Sequence, residues 1–190
     1  KIFRHKAVTP NDKKVLKEWG ISDAAKMIGR TSQTLRNLEE SGKIKPARTK
    51  QNGKRLDRVY SLKDINELRE HFNQRPSKPK GAKAAIIGVT NFKGGVGKSY
   101  TSLTLSQSLA LMGYKVLLVD SDSQGTSTHL GGGFIPDLHI EAQQTLLDVL
   151  IGKSKDLTNC IISSHWDGLD IIPANLTLYN AEMIIPSQIY

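Results

Sequence analysis

The sequence predicts two unlike parts: an α/β domain with a parallel sheet flanked by helices, and ahead of it a smaller, mainly α domain. Three observations carry this. Charge is lopsided: residues 1–83 hold 22 Lys/Arg against 9 Asp/Glu, a formal +13, whereas residues 84–190 hold 5 against 9, or −4. Between the halves lies QRPSKPKGAK, Gln74 to Lys83. Its two prolines, one glycine and four cations neither pack a core nor sustain a helix, so it reads as a linker. Ahead of it, short capped helical patterns end at glycines; behind it, apolar runs of strand length alternate with helical pattern. The expected organisation is an N-terminal helix over 1–20 (a candidate dimerisation arm), a basic domain over 21–73, the linker over 74–83, and an α/β domain over 84–190.

The bulk composition sets limits. A chain of 190 residues with 38% apolar content can bury a core as one domain or two small ones. The single cysteine, Cys160, rules out an intrachain disulfide or a multi-thiolate metal site and fits a reducing cytosol. No apolar run approaches the ~20 residues needed to span a bilayer, so no membrane partner is expected. KIFRHKAVTP is followed by no apolar segment, so no secretory signal is read there. Because the chain opens on Lys1, it is expected to be a piece of a longer protein.

In the basic part, Thr9-Pro10-Asn11-Asp12 reads as a helix start, with Thr9 as cap, Pro10 at the first helical position and Asp12 at the positive end of the dipole. That helix is expected to run to Trp19 and stop at Gly20. Ser22 is read as the cap of a second helix ending at Gly29, and Thr31 as the cap of a third, SQTLRNLEES, ending at Gly42. Two short helices joined by a glycine turn are the helix-turn-helix pattern. A basic stretch with a turn at Asn52-Gly53 follows, and Leu62, Ile65, Leu68 and Phe72 mark a closing amphipathic helix. The third helix would enter a major groove N-terminus first, which makes Thr31, Ser32, Gln33 and Arg36 candidate DNA contacts. Lys43, Lys45, Arg48, Lys50, Lys54, Arg55 and Arg58 line the following stretch as candidate phosphate contacts. The stretch is similar to a MerR-type winged helix-turn-helix in its T-L-R-x-x-E core (Thr34, Leu35, Arg36, Glu39), its basic proline-containing wing and its Y-S-x-x-D restart. It departs from that family at Asn37-Leu38, where a tyrosine pair is usual.

After the linker, AAIIGVT (Ala84 to Thr90) is expected to be a buried parallel strand. It feeds a glycine-rich loop, a helix from about Lys98 to Met112, and a second strand, KVLLVD. Strand, loop, helix and strand are the context of a phosphate-binding loop, in which backbone N–H groups at a helix N-terminus hold phosphates. Gly94, Gly95 and Gly97 let that backbone approach a phosphate, Lys98 neutralises it, and the Ser99 hydroxyl is placed to ligate Mg²⁺. The generic pattern fails at Phe92, six residues before Lys98.

The deviant pattern K-G-G-x-G-K-[ST] fits instead, as Lys93-Gly94-Gly95-Val96-Gly97-Lys98-Ser99 with Tyr100 following. It marks the ParA/MinD group of P-loop ATPases, and the chain resembles the plasmid partition ParA proteins of that group. Asn91-Phe92-Lys93 fits their loop, VDSDSQGTST fits their D-x-D-P-Q-G segment apart from Ser123, and Gly168 to Asn175 fits a G-L-D-I-I-P-A-N strand end. The resemblance implies an ATPase that uses ATP/ADP and Mg²⁺, is homodimeric on ATP, and is bacterial, cytoplasmic and nucleoid-associated. Lys93 would reach the partner subunit's phosphates, Asp122 would orient or deprotonate the attacking water, and Asp120 would lie near Mg²⁺ through a water. Gln124 and Thr126 are weaker switch candidates. Implied partners are operator DNA through the winged helix-turn-helix, nonspecific DNA through the ATPase domain, and a ParB-like centromere-binding protein. The Walker B strand and the adenine contacts are expected beyond Tyr190, so the C-terminal part of the ATPase domain is expected to be missing. A MinD-like positioner is disfavoured by the basic domain in front, and a nitrogenase iron protein by the single cysteine. A DNA-binding repressor with a purely regulatory nucleotide site stays open as the alternative.

Overall fold

A computed structural model of the chain describes residues 16–187, which form two compact units. One comprises Leu16–Ile87 with Ser108–Lys115; the other comprises Gly88–Gln107 and the residues from Val116 onward. No helix among the described residues is long and apolar enough to cross a membrane.

In the first unit, β1 (Trp19–Gly20) pairs antiparallel with β3 (Arg55–Tyr60), which pairs in turn with β2 (Arg48–Asn52). This corrects the expected N-terminal helix at its end: residues 16–18 have no regular structure, and Trp19 lies opposite Tyr60 in a ladder. An aromatic residue that packs on the core from a pleated surface outweighs the local helix signal there. The proposed start of that helix, Thr9 to Asp12, lies outside the described residues. Helix α1 (Ile21–Met27) is capped by Gly20 with no side-chain bond, so Ser22 sits inside the first turn and is not its cap. Helix α2 (Ser32–Glu40) starts as expected, with Thr31 Oγ1 accepting from the Thr34 N–H at 3.2 Å. The β2–β3 hairpin turns at Gly53-Lys54, because Asn52 pairs with Arg55. A capping box of Ser61 and Asp64 opens α3 (Leu62–His71).

The core of this unit gathers Ala24, Ala25, Ile28, Leu35, Tyr60, Ile65 and Leu68, with Trp19, Ile44 and Phe72 packed against it. Arg69 is buried in the same unit, donating to Asn66 Oδ1 at 2.6 Å and to the Leu111 carbonyl at 2.8 Å. Both partners are hydrogen-bond acceptors, as a buried guanidinium requires.

The second unit holds most of α4 (Lys98–Leu111), then β4 (Val116–Val119), a wide helical turn at Thr128–Gly132, α5 (Pro136–His139) and α6 (Leu147–Leu150). Strands β5 (Ile162–Ser163) and β6 (Leu169–Ile172) and helix α7 (Tyr179–Ser187) complete it. The sheet order is β4-β6-β5, with β4 and β6 parallel but β5 antiparallel to β6, so the sheet is mixed and not wholly parallel. A Cβ at Gly131 would lie 2.7 Å from Leu103 Cδ1, so only a glycine lets the wide turn close onto Leu103, Leu118 and Ile171.

The run Ala84 to Thr90 departs most from expectation. It has no regular structure, and Ile86 is 96% exposed. A buried parallel strand needs a neighbour to take its ladder hydrogen bonds and layers to cover its faces. Among the described residues no strand pairs with this run, and β4 pairs on one edge only.

Candidate nucleotide site and DNA-facing surface

The glycine-rich loop is shaped by its own backbone. Asn91 Oδ1 accepts from the Lys93 N–H at 2.8 Å, and Gly95 and Gly97 take φ of +71° and +87°, a region L side chains rarely adopt. The first helical bond of α4 follows at once, from the Thr101 N–H to the Gly97 carbonyl at 2.8 Å. The N–H groups of the first turn therefore have no intrahelical acceptor and sit at the positive end of the helix dipole. Lys98 Nζ donates to the Lys93 carbonyl at 3.1 Å, which brings the motif's two lysine residues together. Nothing lies within 4 Å of a Cβ built on Gly94, Gly95 or Gly97, which leaves the loop open on that side. Lys98 and Ser99 are partly buried, while Lys93, Val96 and Tyr100 are exposed.

Asp120 and Asp122 follow the C-terminal end of β4. Asp120 is 4% exposed. Its Oδ2 accepts from both the N–H and the hydroxyl of Thr128, each at 2.8 Å, and its Oδ1 accepts from the Asp122 N–H at 3.3 Å. Asp122 Oδ1 accepts from the Gln124 N–H at 3.0 Å, and the Asp122 carbonyl accepts from the Gly125 N–H at 2.9 Å. Gly125 has φ of +61°, and a Cβ there would lie 2.6 Å from Pro136 Cγ. The turn is fixed by both conformation and packing.

These residues fit a polyphosphate and Mg²⁺. The cradle offers backbone donors and a lysine ammonium, and Ser99 and Asp120 offer hard oxygens. A carboxylate has about four lone-pair sites, of which three at Asp120 are already taken. No group of three or more His, Cys, Asp or Glu gathers among the described residues. Mg²⁺ takes few protein ligands and shares those of a phosphate.

In the first unit the candidate DNA contacts divide by their neighbours. Gln33 Nε2 donates to Asn37 Oδ1 at 2.8 Å on the face of α2, and Ser32 and Arg36 stand partly buried beside them. Arg48 pairs with Glu18 at 2.9 Å, Arg55 with Asp57 at 3.0 Å, and Arg58 with Glu39 at 2.9 Å. Lys43, Lys45, Lys50 and Lys54 are exposed and, among the described residues, form no ion pair. Glu39, whose side chain is 5% exposed, also accepts from the Ala47 N–H at 3.1 Å and the Tyr60 hydroxyl at 2.6 Å, tying α2 to the wing. Burial and this carboxylate push the Tyr60 hydroxyl well above its ordinary range.

Two structural links in these regions were not read from the sequence. Glu39 stood in a matched motif without a role, and Thr128 closed the segment VDSDSQGTST unassigned. The only available signal was a hydroxyl residue inside a motif whose acidic residues had roles.

Residues 84–189 match the family model of the AAA domain, and residues 20–56 that of the MerR family regulatory protein. Protein SopA of Escherichia coli (strain K12) is 39% identical over 176 residues, covering 92% of this chain and 45% of that protein. Chromosome partitioning protein ParA of Caulobacter vibrioides (strain NA1000 / CB15N) is 38% identical over 99 residues, covering 52% of this chain and 35% of that protein. The chain thus spans less than half the length of these curated relatives. A solved Partition Protein superposes with a TM-score of 0.59 at 18% identity, over 94% of this chain and 51% of that one, a likeness of fold alone.

Proposed function

The chain belongs to the AAA-domain family of ParA-type partition ATPases, with a MerR-type helix-turn-helix in front, and on that premise we propose a DNA-segregation function driven by ATP hydrolysis. The full protein binds ATP with Mg²⁺, dimerises on it, hydrolyses it slowly, and represses its own operon through the winged helix-turn-helix. It works in the bacterial cytoplasm on the nucleoid, with a centromere-binding partner that stimulates hydrolysis. The observation that carries this reading is the glycine cradle at the head of α4, with Lys98 and Lys93 joined within it.

Each residue has a task in this reading. Bound ATP and Mg²⁺ supply the phosphoanhydride and the Lewis acid. Residues Lys93 to Tyr100 surround the phosphates, chiefly through backbone N–H groups, and the Lys98 ammonium offsets their charge. The Ser99 hydroxyl would hold Mg²⁺, and Asp120 would lie near it. Lys93 offsets developing charge across a dimer interface, as an arginine finger does. Asp122 orients the attacking water and accepts its proton. Thr31, Ser32, Gln33 and Arg36 face operator bases and phosphates, and the wing lysines neutralise phosphates.

The test is an ATPase assay of the full-length protein with DNA and its centromere-binding partner. Lys98→Ala is expected to abolish nucleotide binding. Lys93→Ala and Asp122→Ala are expected to keep binding but lose at least about a hundredfold in rate, a loss typical of removing a group that acts in the transition state. Hydrolysis undetectable under every condition would sink the proposal. The reading left standing is then a repressor with a regulatory nucleotide site, favoured by the enclosure of Asp120 by protein donors.

A further inference from the structure

We infer that Thr128 is a positioning residue of the nucleotide site, holding the Asp120 carboxylate and, through it, the backbone of Asp122. The inference rests on the ATPase reading above for the role of Asp122. The geometry itself is independent of it. Thr128 is fully buried, with 0% exposure. Its N–H and its hydroxyl converge on Asp120 Oδ2 at 2.8 Å each, and its Oγ1 accepts from the Ala174 N–H at 2.9 Å.

The polarity of this network is forced. A backbone N–H can only donate, so Thr128 Oγ1 accepts from Ala174 and its single proton goes to Asp120. The carboxylate then spends one oxygen on Thr128, and its other oxygen receives the Asp122 N–H. Asp120 is itself anchored by its N–H to the Ile172 carbonyl at 3.0 Å. One hydroxyl therefore joins three segments: the end of β4, the wide turn at Thr128–Gly132, and the end of β6. Without it the Asp120 carboxylate keeps only the Thr128 N–H on that oxygen, so its side-chain torsion is held less tightly and the Asp122 N–H has a less closely fixed acceptor. A candidate base needs placement within tenths of an ångström, so this looseness affects the rate more than nucleotide binding.

A purely structural threonine would behave differently, and the experiment separates the two. Full-length Thr128→Val keeps the shape and loses the hydroxyl, while Thr128→Ser keeps the hydroxyl. Valine is expected to lower kcat about tenfold or more while the Kd for ADP with Mg²⁺ stays within about twofold, and serine to retain most of the rate. In nucleotide-free protein, amide hydrogen exchange at Asp122 and Ala174 is expected to speed up about tenfold or more with valine and not with serine. In an Asp122→Asn background the valine change should cost nothing further, because both act through one group.

The inference is overturned if valine leaves kcat and Asp122 exchange unchanged, if a folded serine variant fails as badly as valine, or if the Asp122→Asn effect is additive. If the valine variant does not fold, Thr128→Ala against Thr128→Ser is read by the same criteria. If wild type never hydrolyses ATP, the functional reading fails, and the positioning claim is still decided by amide exchange.

Discussion

Two carboxylates, one in each unit, are each held by three donors but differ in the charge of those donors. The Glu39 side chain is 5% exposed within a half-buried residue, Asp120 as a whole residue is 4% exposed, and each accepts three donors. Glu39 takes a guanidinium, a phenol and a backbone N–H, from Arg58, Tyr60 and Ala47. Asp120 takes a hydroxyl and two backbone N–H groups, from Thr128 and Asp122. The first is neutralised at home. Among the described residues no Lys or Arg pairs with the second, so its negative charge is solvated by dipoles alone. Buried charges are paired or coordinate metals as a rule. Glu39 meets that rule inside its unit, as a brace between α2 and the wing. On the proposed reading, that charge faces a cation bound with the nucleotide, in the same unit as the glycine cradle.

The comparison is broken most directly by neutralising each carboxylate. Glu39→Gln unpairs a half-exposed Arg58 and weakens three bonds, and is expected to destabilise the first unit by about 2 kcal/mol. The Arg58 side chain is 41% exposed, so water replaces part of the lost pairing and keeps the loss below that of a broken buried pair. Asp120→Asn strands no cation and also removes the cost of a buried charge, so about 1 kcal/mol is expected. Urea unfolding followed by fluorescence checks this, with Trp166→Phe isolating Trp19 and Trp19→Phe isolating Trp166. Equal losses would mean that the Arg58 pair contributes nothing beyond its hydrogen bonds.

A second test uses pH. Burial first, and the Glu39 carboxylate second, raise the Tyr60 pKa above its unfolded value of 10.0. The protonated phenol is the form that bonds, so its contribution is complete below pH 10 and is lost as pH rises through the folded value. The first unit should therefore lose stability as pH climbs above 10, and Tyr60→Phe should remove that decline. Phenylalanine should also cost about 1 kcal/mol at neutral pH, by leaving Glu39 one donor short. A decline of the same size in the Phe variant would assign the alkaline loss to other groups.

Features set by neighbours along the chain were legible, and features set by distant partners were not. The Thr31 cap and the start of α4 at Lys98 depend on residues within a few positions, and the structure has them where the sequence indicates, while the hairpin turn falls one residue later than indicated, at Gly53-Lys54. Strand β1 depends on Tyr60, some forty residues away, so a helix signal misled there. The run Ala84 to Thr90 has the composition of a buried strand but no ladder partner among the described residues. The candidate site divides in the same way. Lys93 and Lys98 stand in one short motif, whereas the Thr128 hydroxyl gains its meaning from Asp120 and from Ala174, 46 residues on. No local pattern encodes that triangle.

The contrast between a charge neutralised at home and a bare one recurs on the wing, where its expected effects are smallest and easily measured. Arg48, Arg55 and Arg58 each hold a carboxylate within 3.0 Å, whereas Lys50 and Lys54 are exposed and form no ion pair among the described residues. A cation that meets a DNA phosphate releases a condensed counterion, and each such contact contributes about one to the slope of log K against log salt. A guanidinium already paired must leave its carboxylate or share it, so it contributes less to that slope. Lys50→Ala with Lys54→Ala is therefore expected to lower the salt slope of DNA binding by about two, with affinity falling similarly on any sequence. Arg55→Ala is expected to lower it by about half a unit or less. Gln33→Ala should leave the slope unchanged while weakening the preferred sequence, because an amide reads base edges and carries no charge. If Arg55→Ala removes as much slope as a lysine does, the Arg55–Asp57 pair opens on DNA, and pairing at home does not decide which wing cations bind phosphate.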